Sequence, residues 1–210
     1  MHTNIISQPL KKQDYKSICN IIIKIWNLDE YFSEKTAHII SNLYLHTCLS
    51  ENIPAHTITY NGHLVGIVFE NSLRKHKSAI FHTLQKHFYY LRLQFNAEKK
   101  NIFKVLKNIE NINAELLTNC PSIYNEEDLF LALYPDSKKY NINKNIFNEI
   151  LKYIKKQNIE HFFIYTDTRY NCQFYDYMQM KKCSEKTVLF NYDEEDYDEI
   201  TFFIYEYKAI

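Results

Sequence analysis

The chain has 210 residues, 46% of them hydrophobic and 16% aromatic, with Lys+Arg and Asp+Glu at 25 each and a formal net charge of zero. That length suits one domain, the apolar content excludes a disordered chain, and the missing basic excess argues against nucleic acid as a partner. The five cysteines are widely spaced with no C-x-x-C pair, which excludes a zinc knuckle and fits free thiols in a reducing, cytoplasmic setting.

Only two glycines occur, Gly62 and Gly66, beside abundant Asn, Ile, Lys and Tyr. Asn tolerates left-handed backbone angles better than most residues, so it is expected where a turn elsewhere uses Gly. The N-terminus lacks an apolar signal core, and no segment is long and apolar enough to span a bilayer.

In chain order, 4–8 suits a first strand. From Asp14 to Trp26, Ile18, Ile21, Ile22, Ile25 and Trp26 recur at helical spacing. Ser33 is a candidate N-cap for a second helix carrying Ile39, Ile40, Leu43 and Leu45, and Pro54 closes that region. His56–Tyr60 and His63–Glu70 flank Asn61-Gly62, a strong hairpin signal, with Val65, Ile67 and Phe69 on one face. Over 72–120 two helical stripes follow, Ile80, Leu84, Phe88 and Leu91, then Ile102, Leu106, Ile109 and Ile112. Two helices forming an inserted lobe are expected, with both stripes as core.

Next come a strand over 129–134 and a Pro135-Asp136 break. The basic segment Ser137–Lys144 then leads into a helix bearing Ile146, Phe147, Ile150, Leu151 and Ile154. A strand over 160–166 follows, then a helical pattern over 170–180 with Phe174, Tyr177 and Met178 on its apolar side. Two strands, 186–191 and 199–207, enclose the acidic run Asp193–Glu199, which reads as a solvated turn. This order predicts one mixed, mostly antiparallel sheet flanked by helices in an α/β (α+β) domain over 1–210, with a helical insertion over 72–120.

The segment around Lys138 is the most informative. A strand that feeds a short loop and then opens a helix gathers unpaired backbone N–H groups at one point. The helix dipole adds positive potential there, so the point suits a diphosphate, and Lys138, Lys139 and Lys144 strengthen it. The histidines show no metal-ligand spacing; His82 and His87 are five apart, a poor match to one helix face. Surface histidines are expected, and no metal.

Here the chain resembles the GNAT N-acetyltransferase superfamily. Its first motif, Q/R-x-x-G-x-G/A, aligns with Lys138-Lys139-Tyr140-Asn141-Ile142-Asn143. The second, an aromatic-Tyr pair with a Leu-Gly-Phe-like ending, aligns with Phe174-Tyr175-Asp176-Tyr177-Met178-Gln179-Met180. Asn141 and Asn143 replace the loop glycines, and Gln179 stands where the second motif has Gly.

The resemblance implies an acetyl-CoA cofactor held by the 138–144 backbone, with Leu133 and Tyr134 along the pantetheine arm and Asn171 near it. It also implies acetyl transfer to a primary amine by direct attack on the thioester. Tyr175 would then be the acid for the departing thiolate. Glu127 is the named base, with Glu126 and His161 as other candidates by element position. It leaves a homodimer open. The glycine departures keep a second reading, a noncatalytic module of the same fold that binds a protein partner. An RNA-binding protein using the Lys138 loop is disfavoured by the neutral charge.

Overall fold

A computed structural model of the chain describes residues 5–50, 55–71, 79–120, 127–133, 142–156, 159, 161–169, 172–193 and 196–208. The chain folds as two compact units, Met1–Asn96 with Phe130–Asn158 and Ala97–Leu129 with Ile159–Ile210.

In the first unit, β1 (Ile5–Pro9), β2 (Ala55–Tyr60) and β3 (His63–Asn71) form an antiparallel meander. Asn61 and Gly62 take φ of 49° and 83°, the paired left-handed positions of a type I′ hairpin turn. Beyond the turn Ile58 faces Gly66 and Thr59 faces Leu64, so Val65 is the extra residue of a bulge. The bulge interrupts the alternation expected of β3, and Gly66, Ile67 and Val68 are buried in succession.

α1 (Tyr15–Ile25) follows a 3-10 turn at Lys12–Asp14. It buries Ile18, Cys19, Ile21 and Ile22 in one cluster with Leu45 and Cys48 of α3 (Glu34–Ser50) and Ile67 of β3. Asn27, at φ 51°, redirects the chain into the one-turn α2 (Leu28–Tyr31), an element too short for periodicity to announce. α3 opens directly after Ser33, whose Oγ bonds Thr36 Oγ1 at 2.9 Å and whose carbonyl accepts the Ala37 N–H at 2.9 Å. Pro54 lies outside the described residues.

α4 (Ile80–Gln94) packs along α3, and α6 (Ile142–Lys156) packs beside β1. Phe147 and Ile154 anchor α6 at 0% and 2% exposure. The expected core stripe of α4 is corrected: Ile80, Leu84, Phe88 and Leu91 are exposed, and the helix is held through its other face, where Leu93 is fully buried.

In the second unit α5 (Lys99–Thr118) packs on β6 (Lys181–Asp193) and β7 (Asp196–Lys208). Ile102 and Ile112 of its stripe are buried as expected, joined by Val105 and Leu116, while Leu106 lies at the surface. α4 and α5, expected to make one inserted lobe over 72–120, therefore belong to different units.

β5 (His161–Asp167) pairs in parallel with the start of β4 (Glu127–Leu133) and antiparallel with β7, which pairs along β6. The last hairpin is longer than the sequence suggests, with 13 residues in each strand. The architecture is mixed α/β, with one parallel pair among the antiparallel pairings of the described residues and helices flanking the strands.

Candidate functional site

The second unit concentrates its buried polar side chains at the two ends of β5. At the carboxyl end the run Thr166-Asp167-Thr168-Arg169 turns the chain out of the strand. Asp167, 5% exposed, accepts the Arg169 backbone N–H at 3.0 Å and clasps its guanidinium twice, through Nε at 2.8 Å and Nη2 at 2.6 Å. Fork-on-fork pairing of this kind fixes geometry as well as charge. The Cys172 thiol donates to the Asp167 carbonyl at 3.1 Å, which ties the turn to the helix that follows.

That helix, α7 (Gln173–Tyr177), replaces the longer helix expected over 170–180. Tyr177, expected on its apolar side, is exposed; Tyr175 and Met180 are the buried residues. The Tyr175 ring stacks on Tyr205 of β7 with centroids 5.2 Å apart, and its hydroxyl is hydrogen-bonded to Thr166. Tyr205 in turn donates its hydroxyl to Asp176 Oδ1 at 3.1 Å.

α7 ends with the Gln179 N–H on the Asp176 carbonyl at 3.0 Å and the Met180 N–H on the Tyr175 carbonyl at 3.1 Å. This is a Schellman motif, whose reversing residue is usually Gly. Here that residue is Gln179, at φ 59°.

Tyr175 and Cys172 are set to stay neutral. Burial pushes the Tyr175 phenol up to about 12, against a smaller downward pull from Thr166. Burial and the Asp167 carboxylate push the Cys172 thiol up to about 11, which keeps it protonated at pH 7. Cys172 is thus no ready nucleophile, whereas Tyr175 is a phenol that keeps its proton.

At the amino end of β5, His161 Nε2 pairs with the Glu206 carboxylate on β7. The same carboxylate accepts the Cys183 thiol at 3.1 Å and pairs with Lys208 at 3.2 Å. Burial alone would raise Glu206, but Cys183, Lys208 and His161 outweigh it and hold the carboxyl below its usual range. By strand rise, His161 stands roughly 15–20 Å along β5 from Thr166, and its Nε2 is engaged by Glu206. Glu127 begins β4 opposite Phe162, toward the same end as His161.

Of the other expected site residues, Leu133 ends β4, and Ile142, Asn143 and Lys144 form the first turn of α6 rather than a loop. That turn carries no acidic residue of its own to offset the positive end of the helix dipole, and Lys155 and Lys156 offset the negative end in the last turn. Tyr134, Lys138, Lys139, Tyr140, Asn141 and Asn171 lie outside the described residues, as does Glu126.

One pair overturns the surface-histidine expectation. His46, buried on α3, places its Nδ1 3.0 Å from Nδ1 of His82 on α4, and the rings stack with centroids 5.2 Å apart. Burial and the neighbouring ring push His46 down to about 4, so it is neutral at pH 7. Spacing along one element could not reveal a pair made across two helices. Among the described residues no three His, Cys, Asp or Glu side chains gather as a metal site.

By sequence, no family model and no curated protein matches the chain. Solved structures do match it. A provisionally named phosphinothricin N-acetyltransferase gives a TM-score of 0.57 at 7% identity, covering 99% of each chain. The ribosomal-protein-alanine N-acetyltransferase of Brucella melitensis gives 0.53 at 6%, covering 97% of this chain and 99% of that one. The ribosomal-protein-S18-alanine N-acetyltransferase of Escherichia coli gives 0.52 at 10%, covering 99% and 96%.

The chain has the GNAT N-acetyltransferase fold. At these identities the likeness fixes the backbone and leaves each side chain to be argued from its own surroundings. Gln179, expected at the glycine position of the second motif, has a positive φ, the backbone shape that glycine serves. No helix among the described residues is long and apolar enough to cross a membrane.

Proposed function

We propose that the protein is an N-acetyltransferase that moves an acetyl group from acetyl-CoA to a primary amine of a small molecule or a peptide, by direct attack of the amine on the thioester. The observation that supports this most is the breadth of the structural likeness, which spans 97–99% of the chain with N-acetyltransferases whose own chains are covered at 96–99%. Bound acetyl-CoA supplies the activated acyl group. The first turn of α6, free of carboxylates, fits its diphosphate.

In this reading the backbone N–H groups of Ile142, Asn143 and Lys144 hold the diphosphate, aided by Lys138, Lys139, Tyr140 and Asn141. Leu133 and Tyr134 line the pantetheine arm, and Asn171 contacts it. Tyr175 keeps its hydroxyl proton throughout the working pH range and offers it where the thiolate departs. Glu127, toward the amino end of β5, takes the ammonium proton through a relay of waters. Because Cys172 is held as a thiol, the acetyl group passes straight to the amine without resting on the protein. The setting is cytoplasmic, as the free cysteines suggest.

Titration calorimetry with acetyl-CoA is the direct test, and absence of heat at large cofactor excess counts against the reading. With turnover established, Tyr175→Phe is expected to lower kcat by about a hundredfold while moving the KM for acetyl-CoA by less than about threefold. Equal loss in both, or no loss, removes Tyr175 from the acid role.

A second reading, a noncatalytic module that binds a protein partner, is favoured by one observation: Tyr175 is only 9% exposed and its hydroxyl already bonds Thr166. Intact acetyl-CoA binding without turnover across a broad amine panel shifts weight to it.

A further inference from the structure

Phe81, Leu84, Phe88, Leu91 and Phe95 follow one another at alternating steps of three and four, the a and d positions of a heptad. All five lie on one face of α4 and its C-cap, and they are 51%, 64%, 52%, 56% and 89% exposed. Ile80 extends the face at 78% exposure. With ~150–250 Å² for a large side chain, the face offers roughly 700–800 Å² of mainly apolar surface. The largest patch on an ordinary monomer is about 300–600 Å², and a standard interface buries about 800 Å² per partner.

We infer that this seam joins two copies of the chain in a two-fold helix–helix contact. Its 3.5-residue period fits another α-helix better than a strand or a loop. The seam alternates Phe with Leu, so an antiparallel copy sets a Phe against a Leu in each interior layer. A patch that complements itself closes with a two-fold axis and leaves no open end.

The cations beside the seam lie against its aromatic rings, Lys12 Nζ being 5.6 Å from the Phe81 centroid. α4 has no carboxylate, and its formal charges are Lys86 and Arg92. Lys86 shares the helix face of buried Leu93, away from the seam. Arg92 lies over the rings of Phe88 and Tyr89, 5.7 Å and 6.0 Å from their centroids. About two heptads are too few for a free coiled coil, but packing on α3 keeps this helix formed in each copy.

Sedimentation velocity on the full chain tests the contact. Two-chain particles are expected at roughly 10 µM protein. Leu84→Glu with Leu91→Glu is expected to return them to single chains of 25.4 kDa, with unchanged far-ultraviolet circular dichroism because both sites are exposed. Phe95→Glu alone, at the most exposed position, is expected to weaken the self-association at least about tenfold. A wild-type chain that stays single at roughly 100 µM overturns the proposal and assigns the seam to a helix of another protein. A pair that survives the double substitution overturns it equally, because it uses a different surface.

Discussion

The two ends of β5 solve one problem in opposite ways. Each must bury a carboxylate, and each surrounds it with counter-charge and hydrogen bonds. Asp167 does so within its own turn, clasping Arg169 from the same stretch of chain. Glu206 does so across the sheet, with His161 from β5, Cys183 from β6 and Lys208 from β7. The local clasp shapes the path into α7 and so positions Tyr175. The cross-strand network locks three strands in register and leaves the amino end of β5 a structural anchor. A buried ionised group is therefore no guide to chemistry until its partners are counted.

Asp167→Ala gives the largest expected effect, about 3–4 kcal/mol of lost stability, because it strands a mostly buried guanidinium and removes the acceptor for the Arg169 N–H. Asp167→Asn keeps that acceptor and loses the charge, so it is expected to cost about half as much. Urea unfolding followed by circular dichroism reads both. If the two variants are equally destabilised, the turn bond contributes nothing and the clasp is electrostatic alone.

Glu206→Gln is expected to cost about 1–2 kcal/mol near neutral pH, since the amide keeps a hydrogen-bonding oxygen. The sign of its pH dependence follows from the lowered folded-state pKa. Ionisation of Glu206 stabilises the fold above the ordinary carboxyl value of 4.5, and that contribution is lost as pH falls through the lower folded value. The gap between wild type and variant should narrow as pH falls below about 4.5. A gap unchanged down to pH 3 shows that shape, not charge, secures this end of β5.

What the sequence revealed follows the same division between local and cross-chain features. The hairpin at Asn61-Gly62, α1, and Asn in place of Gly at left-handed positions Asn27 and Asn61 were all legible, because each rests on neighbours in the chain. So were the helix-flanked mixed architecture and the strand–helix step from β4 into α6. The His46–His82 pair and the Glu206 network were not, because their members come from separate elements. The α4 stripe was legible as a stripe but not as a surface; periodicity reports that a helix has an apolar side and is silent on what meets it. The Lys138–Asn141 loop and Asn171 remain expectations, being outside the described residues.

The smallest effect concerns the far end of the turn that Asp167 begins. Gln179 holds a left-handed φ of 59° so that its own N–H and that of Met180 can close α7. A residue with Cβ pays about 1 kcal/mol for that conformation, and glycine does not. Gln179→Gly is thus expected to raise stability by about 0.5–1 kcal/mol despite the greater freedom of an unfolded glycine. Gln179→Ala, which keeps the Cβ, should not. The comparison isolates backbone angle from side-chain contact, because Gln179 is exposed and little packing is lost in either variant. Equal stability for glycine and alanine would mean that the left-handed turn is not strained, and that the carboxyl end of β5 owes its shape to the Asp167 clasp alone.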